Sequence, residues 1–312
     1  MRILFTGASS FTGFWFVSQL AKAGHTIIAP LRGAISDYTG VRRQRIELIS
    51  KSATLIENCA FGTDVFMTQF KDEIDVLCHH AAEVSNYKSL DFNIAEALKR
   101  NTLNLQEVLR VARSQNLKAV VLTGSVFEPD EGTGNAPMRA FSPYGLSKGL
   151  TAQVFKYWCN ELTIPLAKFV IPNPFGPWED ERFCAYLMRC WLQRQSAVIN
   201  TPGYVRDNIH VSLLALAYSD LVSKVEALPI YSRLGPSGYV ESQGAFAQRF
   251  AREIGARLQI SAEVHLAVQT EFPEPVIRIN TDIPDHQRLG WSEQSAWDEL
   301  ANYYDSLTRS PN

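Results

Sequence analysis

A tyrosine and a lysine four residues apart, Tyr144 and Lys148, form the pair in this sequence with the most obvious chemistry. On a helix, residues at that spacing share one face. A phenol is a poor acid or base at neutral pH, with a pKa near ~10. An ammonium within ~4–6 Å stabilises the phenolate and lowers that value by ~1–3 units. Tyr144 could then exchange a proton with a carbinol or ketone oxygen while hydride passes between the attached carbon and a nicotinamide. Two hydroxyls, Thr123 and Ser125, follow the apolar run Ala119-Val120-Val121-Leu122 and could hold the same oxygen.

Such a pair needs a nucleotide-binding frame, and the first residues offer one. Ile3, Leu4 and Phe5 read as a buried strand that leaves no room for a signal peptide before it. Gly7 and Gly13 bracket a small-residue turn, and an amphipathic segment runs from about Phe14 to Ala23. Strand, glycine turn and helix make the start of a dinucleotide-binding unit. Gly7 allows the sharp turn, the helix start attracts a pyrophosphate, and Gly13 permits close packing. Ser10 stands where a middle glycine would help.

A second strand within residues 24–33 ends in Leu31 and Arg32. In dinucleotide folds an acidic residue at this place binds the adenosine ribose. A guanidinium suits a 2′-phosphate instead, so Arg32 favours NADP(H) over NAD(H), with Arg42, Arg43 and Arg45 adding positive field. Apolar stretches at 46–50 and 53–56 flank a break, the third strand falling in the second; Phe61 opens a turn that could edge the adenine. Residues 74–82 form a fourth strand ending in His79, His80, Ala81 and Ala82. The small alanines let a cofactor lie close to the backbone. Adjacent histidines on a strand point to opposite faces and cannot easily share one ion, so they read as structural and no metal is expected. One long helix is expected over 91–114, with Asn101 inside it. A loop containing Pro129, Gly132, Gly134 and Pro137 precedes the Tyr144 helix, expected over 144–161.

Composition bounds the rest. The 312 residues are 46% hydrophobic and 20% charged, with a net charge of −2. That balance excludes a nucleic-acid surface, and no apolar run reaches the ~20 residues of a membrane helix. Five cysteines in odd number and without metal spacing read as buried thiols in a reducing compartment, the cytoplasm.

Taken in order, the motifs resemble the extended short-chain dehydrogenase/reductases of the NAD(P)-dependent nucleotide-sugar epimerase/dehydratase/reductase kind. Thr6-Gly7-Ala8-Ser9-Ser10-Phe11-Thr12-Gly13 resembles TGxxGxxG, departing at Ser10. His80-Ala81-Ala82 resembles an HxAA-type turn, Asn101 the family's helix asparagine, and Tyr144 with Lys148 its YxxxK. Pro172-Asn173-Pro174-Phe175-Gly176-Pro177 resembles NxYGP, near the nicotinamide and sugar. Arg206-Asp207-Asn208-Ile209-His210-Val211 resembles RDxIHV, whose arginine meets the substrate diphosphate. Arg278 to Asp282, then Leu289-Gly290-Trp291, resembles its closing pattern.

The resemblance implies an α/β fold: a Rossmann-like doubly wound parallel sheet with a smaller C-terminal α/β substrate lobe. Residues 1–170 form the NADP-binding domain and 171–312 mainly the lobe, with some segments returning. It implies catalytic Thr123, Tyr144 and Lys148, the active hydroxyl lying three residues before Val126, with Ser125 as the fallback. Cofactor contacts fall to Gly7, Ser10, Phe11, Thr12, Gly13, Arg32, Ala81, Ala82, Tyr144, Lys148 and Pro172. Substrate contacts fall to Thr123, Ser125, Asn173 and Arg206. A homodimer formed through the two long helices is implied as well.

Three functions are in view. The leading one is an NADP(H)-dependent reductase of a 4-keto group on a nucleotide-linked deoxysugar, with Tyr144 as proton donor. Arg32 favours it, and so does Gly124-Ser125 where the family's dehydratases carry Asp-Glu. The alternatives are an NAD-dependent nucleotide-sugar 4-epimerase and a non-catalytic NADP-sensing regulator. Trp178 replaces the histidine of the ring-epimerising reductases.

Overall fold

The computed structural model describes residues 1–134 and 139–309; Pro137 of the expected loop lies outside them. In chain order the first elements are β1 (Arg2–Thr6), α1 (Phe11–Lys22), β2 (Thr26–Pro30), α2 (Gly40–Ile49), β3 (Thr54–Ile56), α3 (Asp64–Thr68) and β4 (Val76–His79). Then come α4 (Ile94–Asn101), α5 (Leu105–Ser114), β5 (Ala119–Ser125), α6 (Pro143–Glu161), β6 (Leu166–Ile171) and β7 (Asn173–Phe175). They are followed by α7 (Phe183–Leu192), β8 (Ala197–Ile199), β9 (Val205–His210), α8 (Val211–Ser223) and β10 (Tyr231–Leu234). The chain ends with β11 (Tyr239–Ser242), α9 (Gln243–Leu258), β12 (Val264–Leu266), β13 (Ile277–Arg278) and α10 (Glu293–Arg309).

Two compact units divide the chain. The first holds residues 1–132, 139–171 and 215–235 of those described, the second 133–134, 172–214 and 236–309. In the first unit seven strands run parallel in the order β10-β6-β5-β4-β1-β2-β3. The chain leaves β1 in one direction and returns at β4 in the other, which opens a ligand crevice at the C-terminal strand ends between them. Central strands covered on both faces read as unbroken apolar runs. Ile3, Leu4, Phe5, Val76, Leu77 and Cys78 are accordingly all fully buried.

On one face, Leu4, Leu77, Val120 and Leu122 pack with Val108, Leu109 and Phe155 of α5 and α6. On the other, Phe16 of α1 stacks on Tyr218 of α8 at 4.1 Å, with Phe5 and Phe169 edge-on to Tyr218. Burying a side chain of this size stabilises by roughly 1.5–3 kcal/mol.

One expectation needs correction. The helix expected over 91–114 is two helices. Thr102 Oγ1 bonds back to Leu98 O and closes α4, while Asn104 turns left-handed at φ 49° and bonds Gly62 O. The apolar stretch at 46–50 is the end of α2, which buries Ile46 and Ile49, and β3 falls in the second stretch as expected.

The second unit is smaller. Strands β11 and β13 flank β9, antiparallel and parallel respectively, β7 also pairs with β9, and β12 pairs with β8. Its core joins Phe175, Trp191, Phe246, Phe250 and Trp297. Among the described residues no helix is long and apolar enough to cross a membrane.

Candidate active site

The turn after β1 is built for close approach. Gly7 sits at φ 81°, and a Cβ there would come 2.8 Å from Ala81 N. A side chain at Gly13 would collide with Gly7 O. Ser10 solves the missing middle glycine by folding inward. Its Oγ caps α1 by accepting from Gly13 N at 3.1 Å and donates to Gly7 O at 2.9 Å. The first turn of α1 carries no acidic residue. Its opening N–H groups, around Phe11 and Thr12, therefore present an unopposed positive end to an anion. A dinucleotide pyrophosphate fits this turn on shape and on charge.

The β4 exit is fixed from β1. Thr6 Oγ1 accepts from His80 N and Ala81 N, each at 3.1 Å. This holds half-buried Ala81 and Ala82 at the crevice. The adjacent histidines do point apart: His79 stacks on Phe155 at 4.9 Å, and His80 meets Phe16 at 5.3 Å. Burial, with Lys148 adding to it, drives both imidazoles down to about 3, so both stay neutral. Phe61 packs on His79 at 4.2 Å, partly buried against the core.

His80 decides what Thr123 can do. Its Nε2 lies 3.0 Å from Ser10 Oγ and 3.1 Å from Thr12 Oγ1, and its Nδ1 lies 2.9 Å from Thr123 Oγ1. Ser10 gives its proton to Gly7 O, so it can only accept from His80. With Ser10 assigned as the acceptor, the proton is assigned to Nε2 and Nδ1 accepts from the Thr123 hydroxyl. Thr123 is 3% exposed with its proton committed, whereas Ser125, at the C-terminal tip of β5, is half-buried. Ser125 Oγ accepts from Phe127 N at 3.2 Å, which leaves its own proton for another acceptor.

Helix α6 brings the tyrosine and lysine to this strand end. Ser142 caps it by accepting from Gly145 N, and Pro143 starts it. Gly145 lies against the turn after β5, where any Cβ would strike Phe127 O. Half-buried Tyr144 meets Tyr87 and Phe92 edge-on, centroids 5.6 and 5.9 Å away. Lys148, 5% exposed, donates from Nζ to Thr123 O at 2.6 Å. Burial pulls its pKa down to about 8; Glu128 opposes that shift and Lys168 adds to it. Asn101 ties the parts together, accepting from Glu83 N at 2.8 Å and donating to Thr151 of α6 at 3.2 Å.

Sequence reasoning missed the charges beneath Lys148. Lys168 Nζ lies 2.5 Å from Glu128 and 2.7 Å from Glu131, which also binds Arg233 at 2.7 Å. The available signal was a lysine inside the apolar run of β6.

Leu31 at the end of β2 is 2% exposed, and the next side chain, Arg32, is 74% exposed. Two of the other expected arginines are committed elsewhere. Arg43 pairs with Glu47 and Ile35 O, and buried Arg45 donates to Ser9 O at 3.0 Å. They reinforce the fold more than a field at the ribose.

The second unit carries the remaining candidates. Pro172 is buried, and half-buried Asn173 has a buried Nδ2 without a hydrogen-bond partner. Such a donor fits a ligand acceptor. Arg206 lies over the Tyr204 ring, bonds Val205, Pro275 and Val276 carbonyls, and pairs with Glu274 at 3.0 Å. A diphosphate there must compete with Glu274. His210 is buried against Ser212 at 2.7 Å, as a structural histidine.

The sequence model described as the NAD dependent epimerase/dehydratase family matches residues 3–231. The chain belongs to that family. As a member it is an NAD(P)-dependent oxidoreductase/epimerase of the extended short-chain dehydrogenase/reductase kind. The CDP-abequose synthase of Salmonella typhimurium is 23% identical over 239 residues, 74% of this chain and 73% of that protein. A putative UDP-glucose 4-epimerase of Methanocaldococcus jannaschii is 24% identical over 314 residues, 94% and 93% of the two chains. Among solved structures, UDP-glucose 4-epimerase with UDP-glucose from Thermotoga maritima aligns with a TM-score of 0.74 at 17% identity, covering 99% of this chain and 100% of the other. UDP-glucuronic acid 4-epimerase from Bacillus cereus, in complex with UDP-glucuronic acid and NAD, gives 0.74 at 17%, covering 98% and 100%. These structures share the fold of this family member.

Proposed function

We propose that the protein moves a hydride to and from ring carbon C4 of a nucleotide-linked sugar. The carrying observation is the buried Lys148 ammonium on Thr123 O, which sets the Tyr144 helix against the C-terminal end of β5. A bound nicotinamide dinucleotide supplies the hydride carrier. Tyr144 takes the C4 hydroxyl proton or returns it, Lys148 stabilises its phenolate, and Ser125 donates to the same oxygen. Thr123, expected in that last role, acts behind it by orienting His80. Asn173 and Arg206 hold the sugar and diphosphate, as the family resemblance implies.

Of the two outcomes of such chemistry, epimerisation has the broader support. A putative 4-epimerase aligns over 94% of this chain, and 4-epimerases recur among proteins of the same fold. Reduction is the second reading, favoured by Leu31 and Arg32 at the ribose position and by the likeness to a CDP-abequose synthase. The test is coenzyme stoichiometry. Enzyme loaded with NAD and given UDP-glucose should form the C4 epimer over many turnovers with no net coenzyme change. Consumption of one NADPH per 4-keto nucleotide sugar, without epimer formation, would put the reductase in its place. We also propose a homodimer, supported by Leu146, Leu150 and Tyr157, which lie exposed along α6. A light-scattering mass of one chain would end that proposal.

A further inference from the structure

Arg32 does not stand alone at the ribose end. Its Nη1 lies 3.8 Å from Glu83 Oε2, across the crevice from β2 to the β4 exit. Glu83 is well anchored there. Its side chain is 10% exposed, Oε2 takes Arg100 Nη1 at 2.9 Å, Oε1 accepts from Ser85 N at 2.9 Å, and its own N–H is held by Asn101. Partial burial works against ionisation, yet the bonds from Ser85 and Arg100 overcome it and hold the carboxyl down at about 2. Glu83 is therefore a fixed negative charge throughout the neutral range, while Arg32 is a long exposed side chain free to choose partners.

We infer that Glu83 is a coenzyme-specificity residue, opposing Arg32 so that the adenosine end accepts both the ribose hydroxyls of NAD and the 2′-phosphate of NADP. A 2′-phosphate carries close to two negative charges and must share the guanidinium with this carboxylate. The ribose 2′-hydroxyl of NAD makes no such demand. Like-charge repulsion lowers affinity for the phosphorylated nucleotide and leaves the other nearly untouched. This reconciles an arginine after β2 with a fold shared by NAD-bound proteins.

The inference rests on the proposal that the crevice binds a dinucleotide, and two probes separate them. Binding of 5′-AMP and of adenosine 2′,5′-bisphosphate is measured by calorimetry for the wild type, Glu83→Gln, Arg32→Ala and the double variant. Glu83→Gln should tighten the bisphosphate by about two- to fivefold, the span of a half-exposed charge pair, and leave 5′-AMP within error. Arg32→Ala should weaken the bisphosphate by about tenfold, and in its presence Glu83→Gln should give a smaller gain, because only the direct repulsion between carboxylate and phosphate is left to remove. Unchanged 5′-AMP affinity certifies an intact fold; if Glu83→Gln does not fold, Glu83→Asp should show the same direction with a smaller gain. Equal changes in both ligands, or none in either, overturn the role of Glu83. Loss of all binding in the wild type overturns the nucleotide site itself.

Discussion

At the scale of single residues, the role proposed for Lys148 comes at a cost in stability. The folded-state pKa of Lys148, about 8, lies below its ordinary value of 10.5. Between those values the unfolded chain holds a proton that the folded one releases, so stability rises with pH across that window. Below about pH 8 the full penalty of a buried ammonium is present. Lys148→Met should therefore melt higher than the wild type at pH 7, with the gain fading towards pH 10.5, while turnover is lost. A lower melting temperature at pH 7 would mean the ammonium is net stabilising. The two hydroxyls make a second contrast. Ser125→Ala should lower kcat by about a hundredfold, as expected when a group aiding proton transfer is removed. Thr123→Val should leave most of kcat but destabilise by about 1–3 kcal/mol, because His80 Nδ1 loses its donor. The reverse pattern would return the active role to Thr123. Counting back from Val126 selects Thr123, but residue number says nothing about hydrogen-bond partners; the Ser10–His80–Thr123 contacts are what move our proposal to Ser125.

At the scale of elements, the glycines legible in the sequence were those at turns, while others, such as Gly145, were hidden. Gly7 and Gly13 were legible from their spacing around a strand and a helix. Gly145 was not, because its constraint is the Phe127 carbonyl, eighteen residues upstream in sequence and adjacent only once α6 is docked. Gly145→Ala should destabilise the first unit by about 1–3 kcal/mol or more, read as a lower urea midpoint with an unchanged slope. An unaltered midpoint would show that the start of α6 can shift freely. The break between α4 and α5 escaped detection for a similar reason. Leu98, Leu105, Val108 and Val111 keep an apolar stripe across it, and Asn104 declares its left-handed turn only through the bond to Gly62. Arg45, expected to add positive field at the ribose, is a buried prop for the turn after β1.

At the scale of the whole molecule, the parallel sheet was readable because buried strands are short apolar runs separated by helical spacing. The ordered motifs then specified the family. The direction of chemistry was less readable, since reduction and epimerisation use one proton-transfer pair and differ in what happens between two hydride transfers. The central claim is that Tyr144 handles the C4 proton while hydride passes to the nicotinamide. Its most direct test is single-turnover transfer of deuterium from C4 of deuterated UDP-glucose to NAD or NADP on the enzyme, followed by mass spectrometry of the coenzyme in wild type and Tyr144→Phe. The account predicts deuterated coenzyme in the wild type, and a rate lower by about two to four powers of ten in Tyr144→Phe with coenzyme still bound. Equal transfer rates in the two proteins would contradict it.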